Sequence, residues 1–277
     1  MSKLGLGPVG VALNVSDGEA YLRQAAELER LGYATIWLPG GQIDTLDRIV
    51  AIIRPTASVP VASAVIPLDV YGPAAVTQLY AQLQASAPGR FVVGLGGPQQ
   101  SRPLAALNDY LDRLDQAEPP VPAGRRILAA LGPRKLELAR DRSAGAIALL
   151  VTPANTAAAR RILGGRSTLV VDQMVVLGTG AARARELARG PLRFLSGVRG
   201  YRANFARMGF TGADVDGLSD RLVDELVTWG GAGEIAARVS EHLRAGADHV
   251  ALTVLNTDAD QPGPAEAARQ LAEALPG

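Results

Sequence analysis

Eight short apolar runs, separated by longer segments whose apolar residues recur at helical spacing, leave this chain few architectures. The runs are Val9–Asn14, Thr35–Pro39, Val59–Ile66, Phe91–Leu95, Arg126–Leu131, Ala146–Val151, Leu169–Leu177 and His249–Asn256. Alternation of this kind is the signature of repeated strand–helix units and a parallel sheet. Runs such as Val61-Ala62-Ser63-Ala64-Val65-Ile66 and Ile147-Ala148-Leu149-Leu150-Val151 are apolar on both faces, as strands covered on both sides must be. Eight such strands close a barrel, and 277 residues suit an α/β barrel of roughly 250 residues. The expected fold is therefore a (β/α)8 TIM barrel forming one domain over residues 1–277.

Local signals mark several boundaries. Ser16-Asp17-Gly18-Glu19 has the form of a capping box, and Gly32 ends the helix it would open. Tyr21, Leu22, Ala25, Leu28 and Leu31 recur at three and four, giving one stripe to lay on the sheet. Asp44–Arg54 is expected to form a short second helix, and Leu104–Leu114 another. Glu118-Pro119-Pro120-Val121-Pro122 cannot be helical and is read as a stiff surface loop. The stretch Ala181–Ala245 shows no good strand, so it is expected to supply three or four extra helices before the last strand.

Charge and cysteine content exclude several functions. With 28 basic and 27 acidic residues the formal charge is +1, which gives no electrostatic reason to expect nucleic acid or an anionic membrane as partner. The chain has no cysteine, so disulfides, thiolate metal ligands and thiol nucleophiles are all absent, and no metal site is expected. Met1-Ser2-Lys3-Leu4-Gly5 opens no signal peptide, and no segment reaches the roughly 18 unbroken apolar residues of a spanning helix. The cytoplasm is the expected location. His242 falls in a helix and His249 enters the last strand from its N-terminal side, so both are read as structural, and Trp37 and Trp229 as core.

Active sites of such barrels lie at the C-terminal ends of the strands. After the fifth run comes Leu131-Gly132-Pro133-Arg134-Lys135. Its glycine admits a close backbone approach, and its proline at the first helical position leaves the next amides facing outward, the makings of an anion site. Read alone, the motif suits either that site or a plain strand-to-helix turn with solvated Arg134 and Lys135. Val151-Thr152-Pro153 after the sixth run has the same build, with Thr152 as the helix cap. After the fourth run, Gly94-Leu95-Gly96-Gly97-Pro98-Gln99-Gln100 lacks the third glycine and the later acidic residue of a dinucleotide fingerprint. Its glycines make room for a flat ring instead. Few acid–base side chains are evident, which fits an enzyme whose cofactor carries the chemistry.

Over nearly the whole chain the sequence resembles the bacterial luciferase-like oxidoreductases, in the branch that uses the deazaflavin coenzyme F420. The resemblance rests on Leu28–Trp37, Pro88–Gly96, Leu131–Ala139, Asn204–Phe210, Ser219–Gly230 and Ala245–Val250. It implies a barrel with the coenzyme across the C-terminal mouth and a cis non-proline peptide at Ala64-Val65 beneath the ring. It also implies a phosphate held by Gly132-Pro133 and Val151-Thr152, with Gly96 beside the ring. Where some deazaflavin relatives carry a histidine and a glutamate, this chain has Gly41 and Gln99, neither of which moves a proton effectively at neutral pH. Gln99 is nonetheless the candidate catalytic residue, and Asn14 and Gly41 are assigned to the substrate pocket.

The leading expectation is hydride transfer between deazaflavin and a small organic substrate, in a protein that resembles a family of homodimers. Two alternatives stand beside it: an FMN-dependent monooxygenase, and a non-catalytic barrel that only binds or carries a cofactor.

Overall fold

The computed structural model describes residues 3–15, 19–97, 102–256 and 263–276. The elements follow in chain order as β1 (Val9–Ala12), α1 (Ala20–Arg30), β2 (Ile36–Pro39), α2 (Asp47–Ile53), β3 (Val61–Ala64), β4 (Ile66–Pro67) and α3 (Pro73–Ser86). Then come β5 (Phe91–Gly96), α4 (Pro103–Asp115), β6 (Arg126–Ala129), α5 (Pro133–Arg142), β7 (Gly145–Leu149), α6 (Pro153–Leu163) and β8 (Thr168–Leu177). The C-terminal part holds α7 (Ala181–Ser196), α8 (Arg199–Arg207), α9 (Gly212–Gly217), α10 (Asp220–Leu226), β9 (Val227–Gly230), α11 (Ala232–Arg244), β10 (His249–Val254) and α12 (Pro264–Ala272).

Eight parallel strands close the barrel in the order β10, β1, β2, β3, β5, β6, β7, β8, and β8 returns to β10. Val9 lies opposite Val250 at one seam, and His249 through Val254 face Val170 through Val175 at the other. The expected α/β barrel is therefore present. Its third run is broken: β3 ends at Ala64, the Ala64-Val65 peptide is cis as the resemblance implied, and β4 resumes the pairing with β5.

One expectation fails. Ala181–Ala245 does contain a strand, β9, which pairs in parallel with Met174–Leu177. Met174 and Val175 also pair with β10, so β9 occupies the other edge of β8, in line with β7 and beyond its end. Four residues flanked at once by α10 and α11 give too short an apolar run to be read from period alone. The segment also carries five helices, four before β9 and one after it, more than the three or four expected.

The barrel interior is filled at mid-height by Trp37, Ala62, Val92, Ile127, Ile147, Val170 and Ala251, one from nearly every strand. A larger core joins the outer strand faces to the surrounding helices, including Tyr21, Ala25 and Leu28 of the predicted α1 stripe. A third core packs α7–α10 onto Met174, Val176 and Val227. That packing holds the extra helices over one side of the mouth. Gly32, with φ +85°, ends the turn after α1. The proposed capping box before α1 falls largely on residues 16–18, outside the described ones.

Beneath the mid-height layer, His249 crosses the bottom of the barrel. Trp37 Nε1 donates to its Nε2 at 2.9 Å, and its Nδ1 donates to the Gly7 carbonyl at 2.8 Å. A Cβ on Gly10 would stand 2.6 Å from the His249 ring, so only glycine lets the imidazole pass. His242 is likewise buried between Thr156 and Gln173, at 2.8 and 3.0 Å. Both histidines are structural, as read from their positions. Burial holds each well below its ordinary value, at about 4.

Candidate active site at the barrel mouth

A cavity of about 460 Å³ opens at the C-terminal ends of the strands, within the range of small-molecule sites. Its floor is Ile147 of the mid-height layer, with Ala64, Ala129, Leu149 and Asp172 one layer above. Ala64, Val65, Gly96 and Gly97 form one wall, the start of α5 from Gly132 to Lys135 another, and Tyr201, Ala203 and Arg207 of α8 the roof. Side chains on the β3, β5 and β6 side are small: Ala64, Val65, Gly96 and Ala129. A Cβ on Gly96 would stand 2.4 Å from Val65 Cγ2, so glycine there is required by the neighbouring bulge.

The α5 start has the extended glycine and first-turn proline read from its sequence. Gly132 is extended, Pro133 occupies the first helical position, and the Gly132 carbonyl takes the Lys135 and Leu136 amides at 3.1 and 3.0 Å. That leaves the Arg134 amide as an outward donor. Three cations gather beside it. Arg134 is exposed at the rim, the Lys135 ammonium lies against Gly97, and the Arg207 guanidinium is 3.4 Å from where a Gly132 Cβ would sit. Burial lowers the Lys135 pKa, and no carboxylate among the described residues pairs with it. Arg207 is steadied by Asn204 Oδ1 at 3.0 Å.

The expected site residues separate into groups. Ala64, Val65, Gly96, Gly132 and Pro133 all line the mouth cavity. Val151 instead lines a smaller cavity of about 90 Å³ behind α5. The Thr152 hydroxyl caps α6 by accepting the Asn155 amide at 3.3 Å. Asn14 borders a separate cleft with Gln42, Leu187 and Thr253, while Gly41 is exposed beside it. Gln99 lies outside the described residues. Among the described residues no cluster of His, Asp or Glu could hold a metal ion, and no helix is long and apolar enough to cross a membrane.

Sequence reasoning passed over Asp172, Tyr201 and Arg207. Asp172 is 9% exposed, and burial pushes its carboxyl up to about 6 against the opposing pull of the Thr253 hydroxyl, which donates to Oδ1 at 2.7 Å. A signal was present: Asp172 is the one charge in the run Leu169–Leu177. Tyr201 sits in the roof with its phenol pKa raised by burial and by the Asp172 charge. Arg207 belongs to α8, which begins 57 residues after the end of α5, and no local pattern joins the two.

The mouth of the parallel barrel thus brings together a small-residue wall, a helix N-terminus and three cations. Residues 9–113 match the model of the luciferase-like monooxygenases, an enzyme family, so the resemblance expected from the sequence is met over that part of the chain. No curated protein sequence matches. Among solved structures, an F420-dependent secondary alcohol dehydrogenase in complex with an F420–acetone adduct superposes with a TM-score of 0.72 at 15% identity, covering 99% of this chain and 98% of that one. The coenzyme F420-dependent tetrahydromethanopterin reductase from Methanopyrus kandleri gives 0.68 at 12%, covering 97% and 98%. The oxygenating constituent of 3,6-diketocamphane monooxygenase from Pseudomonas putida, in complex with FMN, gives 0.65 at 14%, also covering 97% and 98%. At these identities the likeness is one of fold.

Proposed function

We propose that this protein is an oxidoreductase that passes hydride between the deazaflavin coenzyme F420 and a small organic substrate. The observation that carries the reading is the pairing, in one cavity, of a wall of small residues with a cation-rich helix start. The donor set fits the coenzyme: Ala64, Val65 and Gly96 would lie against the ring, while the Arg134 amide, Lys135 and Arg207 would hold the phosphate. Bound there, the deazaflavin supplies a ring position that gives or takes hydride. The protein's part is positioning: a fixed ring face, a substrate held within about 3–3.5 Å, and water kept out by the α8 roof. A cytoplasmic homodimer remains the expected form.

Titration with deazaflavin and with FMN tests the reading. The parent should bind deazaflavin more tightly. Gly132→Asp places a carboxylate against Arg207 and in the phosphate's place, so affinity should fall tenfold or more, about 1.4 kcal/mol, with the fold intact. Unchanged affinity would put the phosphate elsewhere. Preference for FMN would favour the monooxygenase reading, and binding of neither coenzyme a non-catalytic barrel.

A further inference from the structure

The proposed coenzyme provides hydride but no proton, and the positions where relatives were expected to keep acid–base groups hold Gly41 and Gln99. Among the described residues the cavity nevertheless contains one carboxyl group, supplied from the opposite quarter of the barrel by β8.

Three features set Asp172 apart from the other acidic residues. It points inward, since it lies two residues beyond Val170 of the mid-height layer, and side chains two apart share a face. It lines the cavity. Its Oδ1 is held by Thr253, and its Oδ2 makes no hydrogen bond with any described residue. No cation among the described residues neutralises it. The groups packed around it are Leu149 opposite on β7, Ala251 opposite on β10, Thr253 and, from the roof, the Tyr201 phenol. Arg134, Lys135 and Arg207 share the cavity, and none of them makes an ion pair with Asp172. A structural carboxylate would be paired or capped, as those at the bottom of the barrel are. One left half-satisfied at the floor of an apolar cavity is arranged to exchange a proton.

We propose that Asp172 is the proton donor and acceptor of this site, and that the substrate is a small carbonyl compound or its alcohol, whose oxygen meets Oδ2. This rests on the hydride-transfer reading. In the reducing direction the substrate carbonyl carbon gains a hydride, with its two electrons, from the reduced deazaflavin. The C=O π pair passes to oxygen, which takes the proton from the Asp172 carboxyl. Asp172 is left as a carboxylate, with the Thr253 hydroxyl still donating to Oδ1, and regains its proton from water. Oxidation of the alcohol runs the same transfers backwards. Because the group changes protonation near pH 6, it can serve in both directions close to neutrality.

The test separates this proposal from the coenzyme assignment. Isobutyramide, a neutral amide offering a carbonyl oxygen that is not reduced, should bind best when Asp172 is protonated. Its affinity, measured by calorimetry on the coenzyme-free protein, should be level below pH 6 and fall about tenfold per pH unit above it. Asp172→Asn should give a flat profile. Thr253→Val removes a donor that favours the carboxylate, so it should move the break to higher pH while sparing the fold. With deazaflavin bound, Asp172→Asn should lower kcat for carbonyl reduction by about 100-fold or more, with coenzyme affinity unchanged.

A flat parent profile, the same slope in Asp172→Asn, an unmoved break in Thr253→Val, or no isobutyramide binding at any pH would each overturn the proposal. Loss of deazaflavin binding with the isobutyramide profile intact would instead overturn the coenzyme assignment and leave Asp172 standing.

Discussion

The two ends of the barrel treat charge in opposite ways. At the bottom the prominent charges among the described residues have partners. Arg126, fully buried at the start of β6, is paired with Asp115 and donates to the Leu111 carbonyl, and Arg142 joins Asp115 to Asp112. Arg160 ties Asp248 to the Gly246 carbonyl below β10. Glu29 accepts three consecutive backbone amides from Ala57, Ser58 and Val59, each at 2.7 Å. Burial would raise its pKa, and those bonds lower it overall. At the mouth, Lys135 and Asp172 lie in the cavity with no charged partner among the described residues. Charges at the bottom are compensated within the fold, whereas those in the mouth cavity are left open, as groups at functional sites commonly are.

Acid is the strongest way to press on the contrast. His242 and His249 sit near 4 in the folded protein against 6.5 unfolded, so their neutral forms contribute stability that is complete above pH 6.5 and lost as pH falls toward 4. Each is worth about 3 kcal/mol by linkage. Asp172 acts the other way: its folded value near 6 lies above the ordinary 3.8, so it destabilises at neutral pH and that penalty is relieved as pH falls through 6. With two histidines against one aspartate, denaturation at a series of pH values should show a net loss between pH 6.5 and 4. In Asp172→Asn the loss should be steeper and the starting stability higher. A parent stability that is flat over this window would refute the account.

A smaller but sharper effect is expected at Arg126. Arg126→Ala leaves a hole at the base of β6 and takes one of the two arginine partners of Asp115, and urea unfolding should show a loss of about 2–3 kcal/mol. Coenzyme affinity of the folded fraction should not change. The smallest effect on stability should come from Lys135→Met, which removes a half-buried ammonium from the mouth. Its melting temperature should hold or rise, while deazaflavin affinity drops about tenfold, roughly 1.4 kcal/mol. If Lys135→Met instead unfolded the protein and Arg126→Ala weakened only binding, the division between the two ends would be wrong.

Much of the barrel was legible because its signals are local. Two-faced apolar runs mark buried parallel strands, and Gly-Pro or Thr-Pro after a run marks a helix start, so the eight barrel strands and the start of α5 followed from residues adjacent in the chain. The same strength explains the miss at β9, whose four residues carry no period, and the separation of Thr152 from Gly132. Both open helices in the same way, but Thr152 turns its hydroxyl to its own helix and stands outside the mouth cavity.

The sequence by itself determined the closed parallel barrel, the structural histidines and the site at the C-terminal ends of the strands, because strand period, helix caps and chain length act over a few residues at a time. Only the tertiary structure decided which charges meet the cavity. A strand that is apolar on both faces does not declare which face turns inward, so Asp172 could be assigned to the site only after closure fixed the parity of β8 against Val170 and Thr253. Arg207, one of 28 basic residues, reaches Gly132 only because the third core folds α8 back over the mouth. Proximity of that kind belongs to the packing of distant segments, and no local pattern encodes it.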